Sequence, residues 1–158
     1  MSTLPRRLLS FLEEHAIDFE TVHHRRDYTA QEAAAHTHTS GREFAKTVLI
    51  WIDNTYALAV LPAHHHVDLE QLRVALGAQE VKLATEAEMQ ELCPDCETGA
   101  LPPFGNLYGL PVYVSTTLKA EDRITFNAGT HEDAIRMPYG DFTRLVQPQI
   151  LDFSELAC

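Results

Sequence analysis

Lys46 is the first residue whose placement asks for a chemical explanation. It lies in "REFAKTVLIWIDNTYALAVLP", two runs of β-branched, aromatic and aliphatic residues separated by the turn pair Asp53–Asn54. In a strand alternate residues share a face, so Phe44, Lys46, Val48 and Ile50 point one way and Ala45, Thr47, Leu49 and Trp51 the other. Both faces are apolar, which predicts a central strand. An ammonium buried there without a partner costs several kcal/mol. The lysine therefore either snorkels to solvent from the strand's start or has a partner, a water-filled cleft or an anionic ligand beside it.

"GALPPFG", Gly99 to Gly105, is the second such element. Its glycines let backbone approach a ligand closely and its prolines stiffen the loop, which suits recognition of a carbonyl or oxyanion by exposed amides. His131, after "NAG", has the right side chain for a general acid or base, and equally the composition of an ordinary loop histidine. "CPDC" at 93–96 has the spacing of a redox pair or of half a zinc site. No second such pair follows. The consecutive histidines 64–66 alternate in direction and converge poorly on one metal, so incidental thiols in a proline-bounded loop are the favoured reading and no metal site is assigned. No G-x-S-x-G, H-E-x-x-H or Walker-type loop is present, which leaves a serine hydrolase or metalloprotease without support.

The elements that must position these residues are readable from periodicity and capping. Leu4–His15 has helical spacing, with Thr3 as cap and Pro5 in the first turn, and 18–23 alternates as a short strand. Thr29 and Glu32 form a capping box that opens another helix. Strands are expected at 44–52 and 55–61, a helix from Asp68 to about Leu76 stopped by Gly77, a short strand at 81–83, and a boxed helix from Thr85 to Leu92. The stretch 93–105, with three prolines and two glycines, is irregular. Strands follow near 112–115, 123–126 and 133–137, then a helix near 139–145 after Pro138, and 146–150 closes the chain.

The class is α/β, or mixed α+β, around one mixed sheet. The 158 residues, 45% of them hydrophobic, suit a single domain over 1–158. No membrane-length apolar run and no secretory cleavage pattern occur, so a soluble cytoplasmic protein without membrane contact is expected. The net charge of −11 argues against broad nucleic-acid binding. It is uneven: residues 1–46 hold 6 basic and 7 acidic side chains, net −1, and the remainder holds the other 6 basic and 16 acidic, net −10. A local polyanion contact would use Arg25, Arg26 and Arg42, unless these are ordinary solvated charges.

"FAKTVLIW" with its hairpin, "GALPPFG" about fifty residues later, and then "ITFNAGTHEDAIRM" together resemble the YbaK/ProX family of aminoacyl-tRNA deacylases, also the editing insertion of bacterial prolyl-tRNA synthetases, over about residues 20–150. The resemblance implies a YbaK-like, partly barrel-like mixed sheet flanked by helices. It implies trans-editing without metal or organic cofactor: hydrolysis of the ester joining a small wrong residue, alanine or cysteine, to proline tRNA. It places Lys46 and Gly99 in catalytic roles and Pro103 in the loop beside them. Substrate-binding roles are expected for Phe44, Val48, Ile50, Ala100, Leu101, Pro103, Phe104, Gly105 and His131. The partners implied are the acceptor end of a mischarged tRNA and an aminoacyl-tRNA synthetase. Pro102 stands where the family often has a small polar residue, which bears on pocket width. A non-catalytic module that binds aminoacyl-tRNA or a small ligand through the same cleft is the alternative.

Overall fold

The computed structural model of the chain describes residues 6–24, 35, 43–118 and 122–156. The expected Thr29 helix, the Thr3 cap and the Arg25, Arg26 and Arg42 cluster lie outside these residues. The elements run α1 (Arg6–Glu14), β1 (Glu20–His23), β2 (Phe44–Ile52), β3 (Thr55–Pro62), β4 (His65–Val67), α2 (Leu69–Leu76), β5 (Val81–Leu83), α3 (Glu86–Leu92), a 3-10 turn (Gly105–Leu107), β6 (Val112–Ser115), β7 (Arg123–Asn127), β8 (Asp133–Pro138), α4 (Tyr139–Val146), β9 (Gln149–Leu151) and β10 (Ser154–Leu156).

Eight strands form one mixed sheet in the order β1-β8-β7-β2-β3-β6-β9, with β5 attached to β2 off this path. Contacts β2–β7, β3–β6 and β6–β9 are parallel and the other pairs antiparallel. The expected mixed α/β class with flanking helices is what forms. The β2–β3 hairpin pairs Ala45 with Pro62 through Ile52 with Thr55. Its two-residue turn places Asp53 at φ 44° and Asn54 at φ 72°. Positive φ at both positions is what twist-matched hairpin turns require, and Asn and Asp tolerate it.

Caps behave as their chemistry dictates. The Asp68 carboxylate accepts from Gln71 N at 2.9 Å, and Gly77 ends α2 at φ +66°. Thr85 and Glu88 satisfy each other's backbone donors at 3.1 and 2.8 Å. The main core lies between the sheet and helices α1, α3 and α4. At its centre Phe104 meets Phe126 and Phe142 edge-on, with ring centroids 5.6 and 5.7 Å apart. A second cluster on the other face of the β2–β3 hairpin joins Ile50, Ala57, Ala59, Leu61, Leu72 and Phe153.

Strands β4 and β10 pair only with each other, in a two-stranded ribbon. It is tied to the main sheet through a buried polar chain in which His65 Nδ1 meets Ser154 Oγ at 2.8 Å and Ser154 Oγ meets Ser115 Oγ at 2.7 Å. Burial, with the charges of His64, Lys46 and His66, pushes the His65 imidazole below its usual pKa. Among the described residues no helix is long and apolar enough to cross a membrane.

Gly77→Ala isolates the left-handed helix stop, because nothing lies within 4 Å of the added Cβ. Its expected cost is about 1 kcal/mol, from backbone conformation alone, read as a lowered urea midpoint at unchanged m-value.

Candidate functional site

The arrangement around β2 creates the site. One edge of the strand is fully paired with β3. The other is shared, with β7 pairing at Phe44 and Ala45 and β5 at Ile50 to Ile52. Strand β5 is held there by several contacts. Ala84 N donates to Leu49 O at 3.0 Å. The Asp53 carboxylate accepts from the amides of Gln79 and Glu80, and Lys82 Nζ stands 4.5 Å over the Trp51 ring. Between β7 and β5 a cleft of about 280 Å³ opens. Its walls are residues 46–49 of β2, Leu83 to Glu86 and Met89 of the β5–α3 segment, and Thr98, Gly99 and Leu101 of the proline-bounded loop.

Lys46 and Gly99, separated by fifty-three positions in the chain, thus share one cavity, together with Val48 and Leu101. Lys46 is half-buried, and desolvation lowers its ammonium pKa from the ordinary value. Among the described residues its ammonium has no ion-pair partner, although Glu86 is one of the residues that line the same cleft. A desolvated, uncompensated cation is stabilised by any polar oxygen that enters.

Gly99 is exposed at φ +84°, a conformation that an L side chain adopts at a cost. Its N–H donates to Met89 Sδ at 3.4 Å. A thioether is a weak acceptor, so a carbonyl or oxyanion oxygen offers this amide a better one. The loop is fixed from behind. Glu97 N donates to Gly129 O at 2.7 Å and Gly129 N to Ala100 O at 2.9 Å. His131 N donates to Glu97 Oε1 at 2.7 Å, and His131 Nε2 meets the Thr98 carbonyl at 2.7 Å, which makes Nε2 the protonated nitrogen. A Cβ on Gly99 would sit 3.5 Å from His131 Cε1.

The remaining residues expected at the site have other places. Phe44 is fully buried with Ala63 and Ala134, and Ile50 belongs to the cluster on the far side of the hairpin. Ala100, Pro103 and Phe104 are buried and do not line the cleft, and Phe104 is a centre of the main core. Gly105 is a glycine for packing reasons, since a Cβ there would lie 2.3 Å from the Leu110 carbonyl oxygen. His131 buttresses the loop and is not among the cleft-lining residues. Strand alternation alone groups Phe44, Lys46, Val48 and Ile50, whereas the opening lies at the strand's edge and takes in only its middle, from both faces.

Thr47, Leu49, Leu83, Ala84, Thr85, Glu86, Met89 and Thr98 complete the cleft without having been assigned to the site by sequence. Leu83 is 55% exposed, an apolar side chain held at the rim of the opening. Cys93 and Cys96 are both buried in the main core. Burial raises their thiol pKa values to about 11 and about 12. Cys96 Sγ contacts Tyr108 OH at 3.2 Å, and Tyr108 OH donates to Asp95, whose carboxylate also pairs with Arg7 at 3.3 Å. Both thiols are neutral, and the Arg7–Asp95 pair ties α1 to the loop.

Residues 24–145 match the family model of the aminoacyl-tRNA editing domain. The chain is 29% identical over 161 residues to the multifunctional Ser/Thr-tRNA deacylase ProXp-y of Escherichia coli (strain K12), covering 99% of this chain and 96% of that enzyme. It is 27% identical over 135 residues to the proline–tRNA ligase of Staphylococcus epidermidis, covering 78% of this chain and 23% of the ligase. A crystal structure assigned as a trans-editing enzyme for prolyl tRNA synthetase superposes with a TM-score of 0.81 at 24% identity, over 95% of this chain and 96% of that one.

Two outcomes follow from the placements. Phe104→Ala is expected to lower stability by about 3–5 kcal/mol in chemical denaturation, as removal of a fully buried core ring does. Iodoacetamide at pH 8, followed by peptide mapping, is expected to label Cys93 and Cys96 only after unfolding, because the native thiols remain protonated at that pH.

Proposed function

The chain belongs to the aminoacyl-tRNA editing domain family, and on that premise we propose that it hydrolyses the ester joining a small, wrongly attached amino acid to tRNA. The observation that carries this is the meeting of Lys46 and Gly99 in one cleft of about 280 Å³. In this reading 1–158 acts as one editing domain in the cytoplasm, on the acceptor end of a mischarged tRNA that a synthetase partner helps to deliver.

An aminoacyl ester is activated, so it needs positioning and a polarised carbonyl more than a strong nucleophile. Among the cleft-lining residues there is no serine, cysteine or histidine. Chemistry then comes from water, oriented with the help of a ribose hydroxyl of the tRNA itself. The Lys46 ammonium and the Gly99 N–H supply the electrostatics. Both are poorly compensated in the free protein, the first by desolvation and the second by its sulfur acceptor. Little reorganisation stands between them and a developing negative charge.

The walls set the substrate class. Val48, Leu49, Leu83, Ala84, Met89 and Leu101 leave an apolar space in which sterics exclude large side chains, the logic of a sieve. Alanyl and cysteinyl esters fit it. The activity in the name of the full-length E. coli relative adds seryl and threonyl esters to the candidates.

A panel of alanyl-, cysteinyl-, seryl- and threonyl-tRNA tests the proposal. Wild type is expected to accelerate hydrolysis of at least one, and Lys46→Met to lose roughly a hundredfold of that rate. The Tm of Lys46→Met should match or exceed that of wild type, because the substitution removes a desolvated charge without a partner. Failure of wild type on the whole panel, with retained binding, would establish a non-catalytic aminoacyl-tRNA binding module instead. Equal rates for the two proteins would remove Lys46 from the mechanism.

A further inference from the structure

The direction of each backbone group along β2 is fixed by four hydrogen bonds. Ala63 N donates to Phe44 O, and on the neighbouring strand Leu58 N donates to Pro111 O. Even-numbered residues of β2 therefore face β3. Thr125 N donates to Glu43 O and Ala84 N to Leu49 O, so odd-numbered residues face the shared edge. On that edge the parallel ladder with β7 ends at Ala45↔Phe126, and the antiparallel ladder with β5 begins at Ile50↔Leu83.

The N–H and C=O of Thr47, with the N–H of Leu49, fall in the interval outside both ladders, and among the described residues no other backbone group bonds to them. Thr47 is only 9% exposed, and its buried Oγ1 has no hydrogen-bond partner either. Buried backbone groups are almost always paired. An orphaned donor and acceptor on one residue, in the wall of the cleft that holds Lys46 and Gly99, mark a place where something else completes the sheet.

We infer that the gap in the sheet is the subsite for the aminoacyl group, and that Thr47 is its main-chain anchor. The α-ammonium donates to the Thr47 carbonyl, and the acyl carbonyl accepts from the Thr47 N–H, as one residue of an added antiparallel strand would. The interval offers the Thr47 carbonyl as its one acceptor and the N–H groups of Thr47 and Leu49 as donors, and Thr47 alone presents an acceptor and a donor in the order that the donor group and carbonyl of an aminoacyl ester require. Its side chain then projects on the face that Thr47 shares with Leu49, towards Met89 and Leu101. The contact to the ammonium is charge-assisted, so the site selects α-amino acyl esters over other acyl esters. The inference rests on the deacylase reading and names how that site recognises its substrate.

The test compares the best-hydrolysed aminoacyl-tRNA of the panel with its deaminated counterpart, propionyl-tRNA for alanyl or 3-hydroxypropionyl-tRNA for seryl. Each rate is divided by the uncatalysed rate of the same ester, which removes the intrinsic activation by the ammonium. The enhancement is expected to fall at least tenfold without the α-amino group. Equal enhancements overturn the inference and leave the deacylase reading standing, whereas acceleration of neither ester overturns both. Hydrolysis-resistant 3′-alanylamido-3′-deoxyadenosine supplies the location. Its addition should shift the Thr47 amide cross-peak in a 1H–15N spectrum, and a Thr47 amide unmoved at saturation overturns the assignment.

Discussion

A strand with two edges and three partners cannot satisfy all of them along its whole length. Strand β2 gives one edge entirely to β3 and divides the other between β7, running parallel, and β5, running antiparallel. Two short strands of opposite direction cannot merge into one ladder, because their hydrogen-bond spacings and side-chain registers differ. The sheet must open between them. The cleft, the half-buried lysine and the unpartnered backbone of Thr47 all follow from that fork, and the helices and loops around it complete the walls.

The fork also explains why a desolvated ammonium is tolerated. Lys46 lines the opening where the sheet is interrupted and is only half-buried, even though both neighbours along its face, Phe44 and Val48, are apolar. The loop opposite is rigid for complementary reasons. Hydrogen bonds to Gly129 and His131 hold residues 97–100, Phe104 anchors the far end in the aromatic centre of the core, and Gly105 admits the Leu110 backbone to a distance no other residue allows. A site that relies on electrostatics and placement requires walls of this stiffness.

Much of this was legible in the residues. The β2–β3 hairpin, both capped helices and the irregular 93–105 loop are encoded locally, by β-branched runs, by Asp53–Asn54, by Asp68 with Gly77 and by Thr85 with Glu88. Lys46 and Gly99 could be singled out because an oddly placed cation and a proline-stiffened glycine loop are each locally unusual. Other features depend on the whole fold. Strands β4 and β10 are three residues each, and one begins with two histidines. The buried Ser115–Ser154–His65 chain and the Phe153 ring in the second core cluster give them a place. Phe44 and Ile50 look like cleft walls when faces are assigned by alternation, and Pro103 and Phe104 by their place in the loop, but the opening runs along an edge, a direction that alternation does not describe, and takes only Thr98, Gly99 and Leu101 from the loop. His131 shows the same limit, since its ring is committed to the Thr98 carbonyl thirty-three positions away.

The turn at Asp53–Asn54 has a role beyond reversing the chain. The Asp53 carboxylate receives the amides of Gln79 and Glu80, so the strand that forms one jaw of the opening is suspended from the hairpin's tip. The separation of the jaws consequently depends, beside the β2–β5 ladder, on a solvent-exposed joint at the hairpin's tip. Substitutions at residues 78–80 can retune how much side chain is admitted while every wall residue stays the same. Divergent selectivity within one architecture then needs no change in its chemistry, only a change in how the jaw is hung.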